Sequence, residues 1–206
     1  MGFYDKYILP HFLNCACGSK PILYQREKVV PMAEGLVLEV GIGSGLNIPF
    51  YDSSKVDKIL GLDPSEELNR MALKVAADKG IPVEFILGGA EAIPLPDNHV
   101  DSVLVTYTMC TIPQVAAANK EILRVLKPQG QMIFCEHGLA PDANVSKWQN
   151  RIDPYWGKIA GGCHLNRNIP ALITEAGFKI ESMEQMYLPS TPRFAGYNYW
   201  GTAVAG

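Results

Sequence analysis

The sequence has no run of about eighteen apolar residues, so no helix is expected to cross a membrane. It does not open on a basic stretch, an apolar core and a small-residue cleavage site, so no secretory leader is expected either. Charge is sparse at 19% of residues, and the balance of 18 Lys+Arg against 21 Asp+Glu leaves a net charge of −3. Neither sign gathers into a tail, and the basic face that a nucleic-acid binder needs is missing. Cysteine is scarce: Cys15, Cys17, Cys110, Cys135 and Cys163 are odd in number and scattered. That usage fits a reducing cytoplasm better than a disulfide framework, so a cytoplasmic location is expected. Cys15-Ala-Cys17 has one residue between its sulfurs and no second pair to complete it, so no metal site is expected. There is no internal repeat and no low-complexity tract.

What is present is apolar. Hydrophobic residues make up 48% of the 206, enough for a sizeable core and too much for a disordered chain. Apolar, β-branched runs at 36–40, 58–63, 83–87, 100–105 and 131–136 read as buried parallel strands. Helical spacing recurs over 20–34, 65–79, 114–126, 144–159 (broken at Pro154) and 169–176. The segments 178–187 and 197–204 read as a closing hairpin with a long loop. The expected fold is α/β: a Rossmann-like seven-stranded mostly parallel sheet with helices on both faces, the last strand antiparallel, and a small helical cap. Within a single domain over 1–206, the expected parts are an N-terminal helical lid (1–35), a cofactor-binding core (36–137), a substrate cap (138–176) and a C-terminal hairpin (177–206).

The most informative stretch is Val37-Leu38-Glu39-Val40-Gly41-Ile42-Gly43-Ser44-Gly45-Leu46-Asn47. A strand runs into a turn with three alternate glycines, which permit tight backbone geometry and close approach of a ligand, and then into an expected helix. Asp63 follows Gly43 by twenty residues, at the end of the second strand, where a carboxylate can accept hydrogen bonds from both hydroxyls of a ribose. The spacing is GxGxG rather than the dinucleotide GxGxxG, and an acid at 39 suits a cationic ligand better than a pyrophosphate.

This segment resembles motif I of the class I S-adenosylmethionine-dependent methyltransferases. The resemblance implies that Gly41, Gly43 and Gly45, with Asn47, line the methionine part, that Asp63, followed by Pro64, holds the ribose, and that Glu39 holds the loop or the amino end. Gly89-Ala90-Glu91-Ala92-Ile93-Pro94 looks like the loop flanking the adenine. It departs from many relatives in having Gly89 where an acid precedes the Ala-Glu pair, so a backbone group or Glu91 must serve. Val100 to Thr106 looks like the fourth strand, with Thr106 expected to bind the cofactor, and Glu121 to Gly130 like the helix and turn before the fifth.

Residues outside this core decide what is methylated. His137, at the end of the fifth strand, reads as a base or as a histidine bonded to the adjacent loop. Asp153 is a catalytic carboxylate or a turn cap; Cys163-His164 is a reactive pair, or a buried thiol beside a solvated imidazole. Arg167 holds an anion or pairs with a carboxylate. Tyr7, Met109 and Trp156 complete the expected acceptor pocket, and Phe3, Tyr4, Ile8 and Phe12 read as a lid over the site or as packing on its flank. Glu136-His137, Asp153-Pro154 with Trp156, Gly162-Cys163 and Arg167 together are similar to the animal methyltransferase-like seven proteins, membrane-associated alkyl-thiol methyltransferases. Phe3-Tyr4-Asp5-Lys6 and Leu9-Pro10-His11 look like soluble bacterial relatives labelled thiol or phospholipid methyltransferases.

No counterpart of the animal proteins' apolar N-terminal anchor is expected here, and a small soluble acceptor is the expectation that follows. The resemblance thus implies methyl transfer from S-adenosylmethionine to a small thiol such as hydrosulfide, methanethiol or an alkyl thiol, with S-adenosylhomocysteine as product. A phospholipid head group or a quinone is the alternative acceptor, reached by peripheral membrane contact. A nicotinamide dehydrogenase and a non-catalytic nucleotide-binding module are the readings of other classes.

Overall fold

The computed structural model describes residues 16–206 apart from residue 78. Seven strands form one sheet in the order β3-β2-β1-β4-β5-β7-β6. They are β1 Gly35–Val40, β2 Val56–Asp63, β3 Val83–Leu87, β4 Val100–Thr106, β5 Leu126–His137, β6 Phe178–Tyr187 and β7 Tyr197–Ala205. Strands β1 to β5 pair in parallel, and β7 runs antiparallel to both β5 and β6. The helices are α1 Lys20–Val29, α2 Glu66–Ala77, α3 Val115–Val125, α4 Ala143–Ile159, α5 Ile169–Glu175 and α6 Arg193–Gly196. Among the described residues no helix is long and apolar enough to cross a membrane.

Side chains alternate across a strand, so a sheet covered on both sides needs apolar residues at successive positions. Leu38, Val40, Leu60, Leu62, Val103, Val105, Met132 and Phe134 face one core, closed by Ala118, Ile122 and Val125 of α3 and Ile169 and Ile173 of α5. Val37, Ile59, Leu104, Ile133 and Cys135 face the other, closed by Val29 of α1 and Ala72 of α2. The inner parallel strands β1, β2, β4 and β5 are flanked on both faces, which is why they are rich in buried apolar residues, whereas the edge strand β3 has no fully buried residue.

Three local expectations need correction. No α-helix follows the glycine turn; the chain makes a single 3-10 turn over Ile48–Phe50, with Pro49 inside it. Proline cannot donate to a continuing helix, so the loop has no long helix N-terminus beside it. The helix expected over 20–34 stops at Val29 and gives way to a 3-10 turn at Val30–Met32, again at a proline, Pro31. Conversely, Pro154 does not interrupt α4, which runs unbroken through it to Ile159. One lost hydrogen bond is tolerated because the last turn is held from outside: Trp156 meets the Phe194 ring edge-on at 6.1 Å and packs on Cys110 and Cys163.

Candidate functional site

The order of the strands puts a topological switch between β1 and β4, where successive connections leave to opposite faces. The carboxyl ends of the strands beside such a switch are where open α/β sheets bind ligands. The glycine loop, Asp63, and the ends of β4 and β5 all converge on that edge.

Gly41, Gly43 and Gly45 all have left-handed backbones, with φ of +73°, +55° and +82°. Their surroundings differ. A Cβ at Gly41 would lie 2.4 Å from Thr108, and one at Gly45 would lie 2.8 Å from Ile48. A Cβ at Gly43 would meet nothing nearer than the Gly41 carbonyl at 3.9 Å. Gly41 and Gly45 are therefore required by the protein's own packing, while Gly43 faces open space. Asp63 ties the glycine loop to the end of β2: Oδ2 accepts from the Gly43 N–H at 3.0 Å and Oδ1 from the Ser65 N–H at 2.8 Å. Burial raises its pKa, and those two N–H groups oppose the rise. Pro64 lies exposed just beyond it. Ala90 is buried, and the Glu91 carboxylate lies against Gly89 and accepts from the Gln114 N–H at 3.3 Å.

Behind the loop lies a polar network that the sequence did not reveal. Arg26 of α1 is 5% exposed; its Nη1 donates to Asn47 Oδ1 at 2.6 Å and Thr106 Oγ1 at 2.7 Å. Asn47 Nδ2 donates to Glu39 Oε1, and the Tyr51 hydroxyl donates to Glu39 Oε2, each at 2.8 Å. Glu39 thus spends both oxygens on holding the loop, and Asn47 and Thr106 spend their polar atoms on each other and on Arg26. Burial pushes Glu39 up to about 7, against the hydrogen bonds from Tyr51 and Asn47 and the Arg26 charge. A carboxyl whose folded pKa lies above its unfolded one loses stability as it ionises. That contribution is complete below the ordinary value of 4.5 and lost as pH rises towards 7, on the order of 3 kcal/mol in all. Chemical denaturation from pH 5 to 8 should show this decline, and Glu39→Gln should lessen it, the remainder belonging to Glu136, which burial raises alike; an unchanged slope would exclude Glu39 as a source.

The second part of the site lies where the cap meets β4 and β5. Tyr107, immediately after β4, has φ +54°, a strained conformation for a bulky residue. The next turn is pinned by Glu136, fully buried, whose Oε1 accepts from the Thr108 and Met109 N–H groups at 2.7 and 3.0 Å. Its Oε2 has no partner among the described residues, and burial pushes its pKa up to about 7. His137 Nε2 lies 3.3 Å from Cys163 Sγ. The Cys110 thiol bonds to the same sulfur, and with His137 it holds the Cys163 thiol well below the ordinary range against the effect of burial. Burial opposes charge on His137, yet its bond to Cys163 raises its pKa on balance.

The other expected residues divide between structural and lining positions. Asp153 uses both oxygens to anchor the cap, accepting from the Leu165 N–H at 2.7 Å and pairing with His164 Nδ1 at 2.8 Å. Asp153 lies inside α4 rather than at a turn before Pro154, so the turn-cap expectation does not describe it. Arg167 Nη1 donates to the Met109 carbonyl, and Met109 itself is fully buried in the core. Trp156 packs on the cysteines with its Nε1 buried. Gln149, unremarked in the sequence, lies within reach of the Gly138, Leu165 and Phe194 carbonyls and accepts from the Ala140 N–H, fastening the cap to β5. Tyr7, with Phe3, Tyr4, Ile8 and Phe12, falls outside the described residues, as does Cys15.

Residues 38–134 match the family model described as a methyltransferase domain. The rat thiol S-methyltransferase TMT1B is 31% identical over 172 residues, covering 79% of this chain and 70% of that protein. The human thiol S-methyltransferase TMT1A is 27% identical over 178 residues, 84% of this chain and 72% of that protein. A solved SAM-dependent methyltransferase from Methanosarcina mazei superposes with a TM-score of 0.64 at 20% identity, covering 82% of this chain and 92% of the other. The open space over Gly43, with the Asp63 carboxylate beside it, suits the cofactor these enzymes use. Strand order, glycine loop and kinship agree, and the chain belongs to the class I S-adenosylmethionine-dependent methyltransferases.

Proposed function

We propose that this methyltransferase acts on a small thiol, such as hydrosulfide, methanethiol or an alkyl thiol, and releases a methyl thioether with S-adenosylhomocysteine. The observation that carries this reading is His137 Nε2 facing a thiol sulfur at 3.3 Å, among Cys110, Cys163 and Trp156. An acceptor thiol reaching that imidazole would meet the same partner and the same soft, apolar walls. The relatives named thiol S-methyltransferases support it.

When bound, S-adenosylmethionine supplies an electrophilic methyl group on a sulfonium. The protein has to hold the acceptor in line with it and exclude water. In this reading Gly41, Gly43 and Gly45 cradle the methionine end and Asp63 takes the ribose hydroxyls. Glu39, Asn47 and Thr106 keep the loop in place, and Ala90 and Glu91 flank the adenine. His137 accepts the thiol's hydrogen bond and orients its sulfur, while Asp153, His164 and Arg167 hold the cap closed over it. Thiols are already partly ionised near neutral pH, so orientation and desolvation do most of what is needed.

The test offers methyl-labelled S-adenosylmethionine with hydrosulfide, methanethiol and phospholipid vesicles side by side. Label in a volatile methyl sulfide is the expected result, and His137→Ala should lower kcat/KM on the order of 100-fold. Full activity of that variant would remove His137 from the mechanism and leave the acceptor assignment standing. One feature favours the alternative acceptor, a phospholipid: Trp148, Tyr155 and Ile159 of α4 are 59%, 70% and 57% exposed, an apolar face suited to a bilayer surface. Label in the lipid fraction alone would replace the thiol reading.

A further inference from the structure

Cys110, His137 and Cys163 come from three separate elements: the turn after β4, the end of β5, and the loop between α4 and α5. Their Sγ, imidazole nitrogen and Sγ all lie within 4.8 Å of one another. We propose that these three side chains form a binding site for a thiophilic d10 cation, Zn²⁺ by its ligand preference, with the fourth tetrahedral position left open.

The spacing suits the ion. Tetrahedral zinc with bonds of about 2.3 Å to sulfur and 2.0–2.1 Å to imidazole separates sulfur from nitrogen by about 3.5 Å and sulfur from sulfur by about 3.8 Å. The His137 Nε2 to Cys163 Sγ distance is 3.3 Å, so a small outward shift of the two side chains admits the ion. Both cysteines are free and buried, and two thiolates would neutralise the divalent charge. The donor set of two sulfurs and one imidazole selects Zn²⁺ over Mg²⁺ and Ca²⁺, which take oxygen ligands. The surroundings are firmly held. Cys163 lies in a loop whose His164 N–H donates to the Cys110 carbonyl and whose Leu165 N–H donates to Asp153, while Glu136 fastens the turn carrying Cys110. Glu136 Oε2 is buried nearby with no partner among the described residues, so a polar group remains to be satisfied around the ion.

Three protein ligands and an open position are the pattern of zinc sites that bind a reactant rather than of closed structural ones. Resting on the thiol reading above, the open position would take the acceptor: the S–H bond breaks, sulfur bonds to the ion, and the proton passes to water. In the loaded protein His137 is a ligand, and the ion performs the orienting role that the imidazole has alone.

The decisive measurement needs neither S-adenosylmethionine nor turnover. The reduced, chelator-treated protein is titrated with Zn²⁺ against a chromophoric chelator, and separately with Co²⁺ as a spectroscopic stand-in. One equivalent should bind. Co²⁺ should give intense near-ultraviolet thiolate-to-metal absorption and the visible bands of tetrahedral coordination. Cys110→Ala, His137→Ala and Cys163→Ala, each checked for folding by circular dichroism, should weaken binding at least about tenfold, and Cys135→Ala should leave it unchanged. No stoichiometric Zn²⁺, or binding indifferent to all three substitutions, overturns the site. Should a variant fail to fold, the wild-type cobalt spectrum decides: octahedral bands without thiolate absorption reject the proposal. Adding hydrosulfide should intensify the charge-transfer band. A cobalt site blind to hydrosulfide overturns the open-position clause, while the fate of the thiol reading is read separately from the labelled product.

Discussion

Gly43→Ala should raise the dissociation constant for S-adenosylmethionine roughly 5- to 150-fold, the about 1–3 kcal/mol of an intruding methyl group, while the protein remains folded. The two outcomes separate because the added Cβ meets only the Gly41 carbonyl at 3.9 Å, so nothing in the protein itself collides with it. The remaining conformational cost at φ +55° is about 1–2 kcal/mol, tolerable in a domain of this size. Gly41→Ala is the contrasting variant. Its Cβ would sit 2.4 Å from Thr108, in addition to the strain at φ +73°, so it should lose about 2–5 kcal/mol of stability before any ligand is added. Calorimetric titration of cofactor and thermal denaturation of both variants make the comparison. Normal cofactor affinity in Gly43→Ala would mean that the cofactor does not lie over this loop.

The largest purely structural effect is expected at Arg26. Arg26→Leu should lower the unfolding free energy by about 3–5 kcal/mol, a substantial share of the total for any domain. In a chain of this length that corresponds to a fall in Tm of about 6–20 °C. The substitution removes two short hydrogen bonds, to Asn47 and Thr106, and strips the buried Glu39 carboxylate of its neighbouring positive charge. The double variant Arg26→Leu/Glu39→Gln should recover part of the loss, because the carboxylate left behind is then gone as well. Additive losses would show that the two groups act independently, and a loss below about 1 kcal/mol would show that the network is dispensable.

Much of the fold was legible because parallel strands buried on both faces leave an unmistakable record. Runs such as Leu36–Val40 and Val103–Val105 are apolar at nearly every position, and only strands covered on both sides tolerate that. The antiparallel pairing of β7 was expected from the hairpin-like segments 178–187 and 197–204, and its insertion between β5 and β6 accords with it. Helix limits were less legible, since proline has two meanings. Pro49 and Pro31 end or forestall helices, whereas Pro154 sits inside α4 because Trp156 and the cap loop secure its last turn. Sequence distance cannot distinguish these cases; tertiary contacts do.

The candidate site divides along the same line. The sequence alone determined the glycine loop and the acid twenty residues beyond it, because a tight left-handed turn and a carboxylate at a strand end are local demands met by neighbouring residues. Only the tertiary structure decided what those residues touch. It assigned Glu39, Asn47 and Thr106 to a buried lattice around Arg26, a residue with no local mark of importance, and made Asp153 and Gln149 the fastenings of the cap. It also brought Cys110, His137 and Cys163 together from positions separated by 27 and 26 residues, a spacing that no short metal or thiol motif describes. Such clusters are invisible in sequence because strand order and cap docking set their geometry, and both depend on contacts between distant parts of the chain.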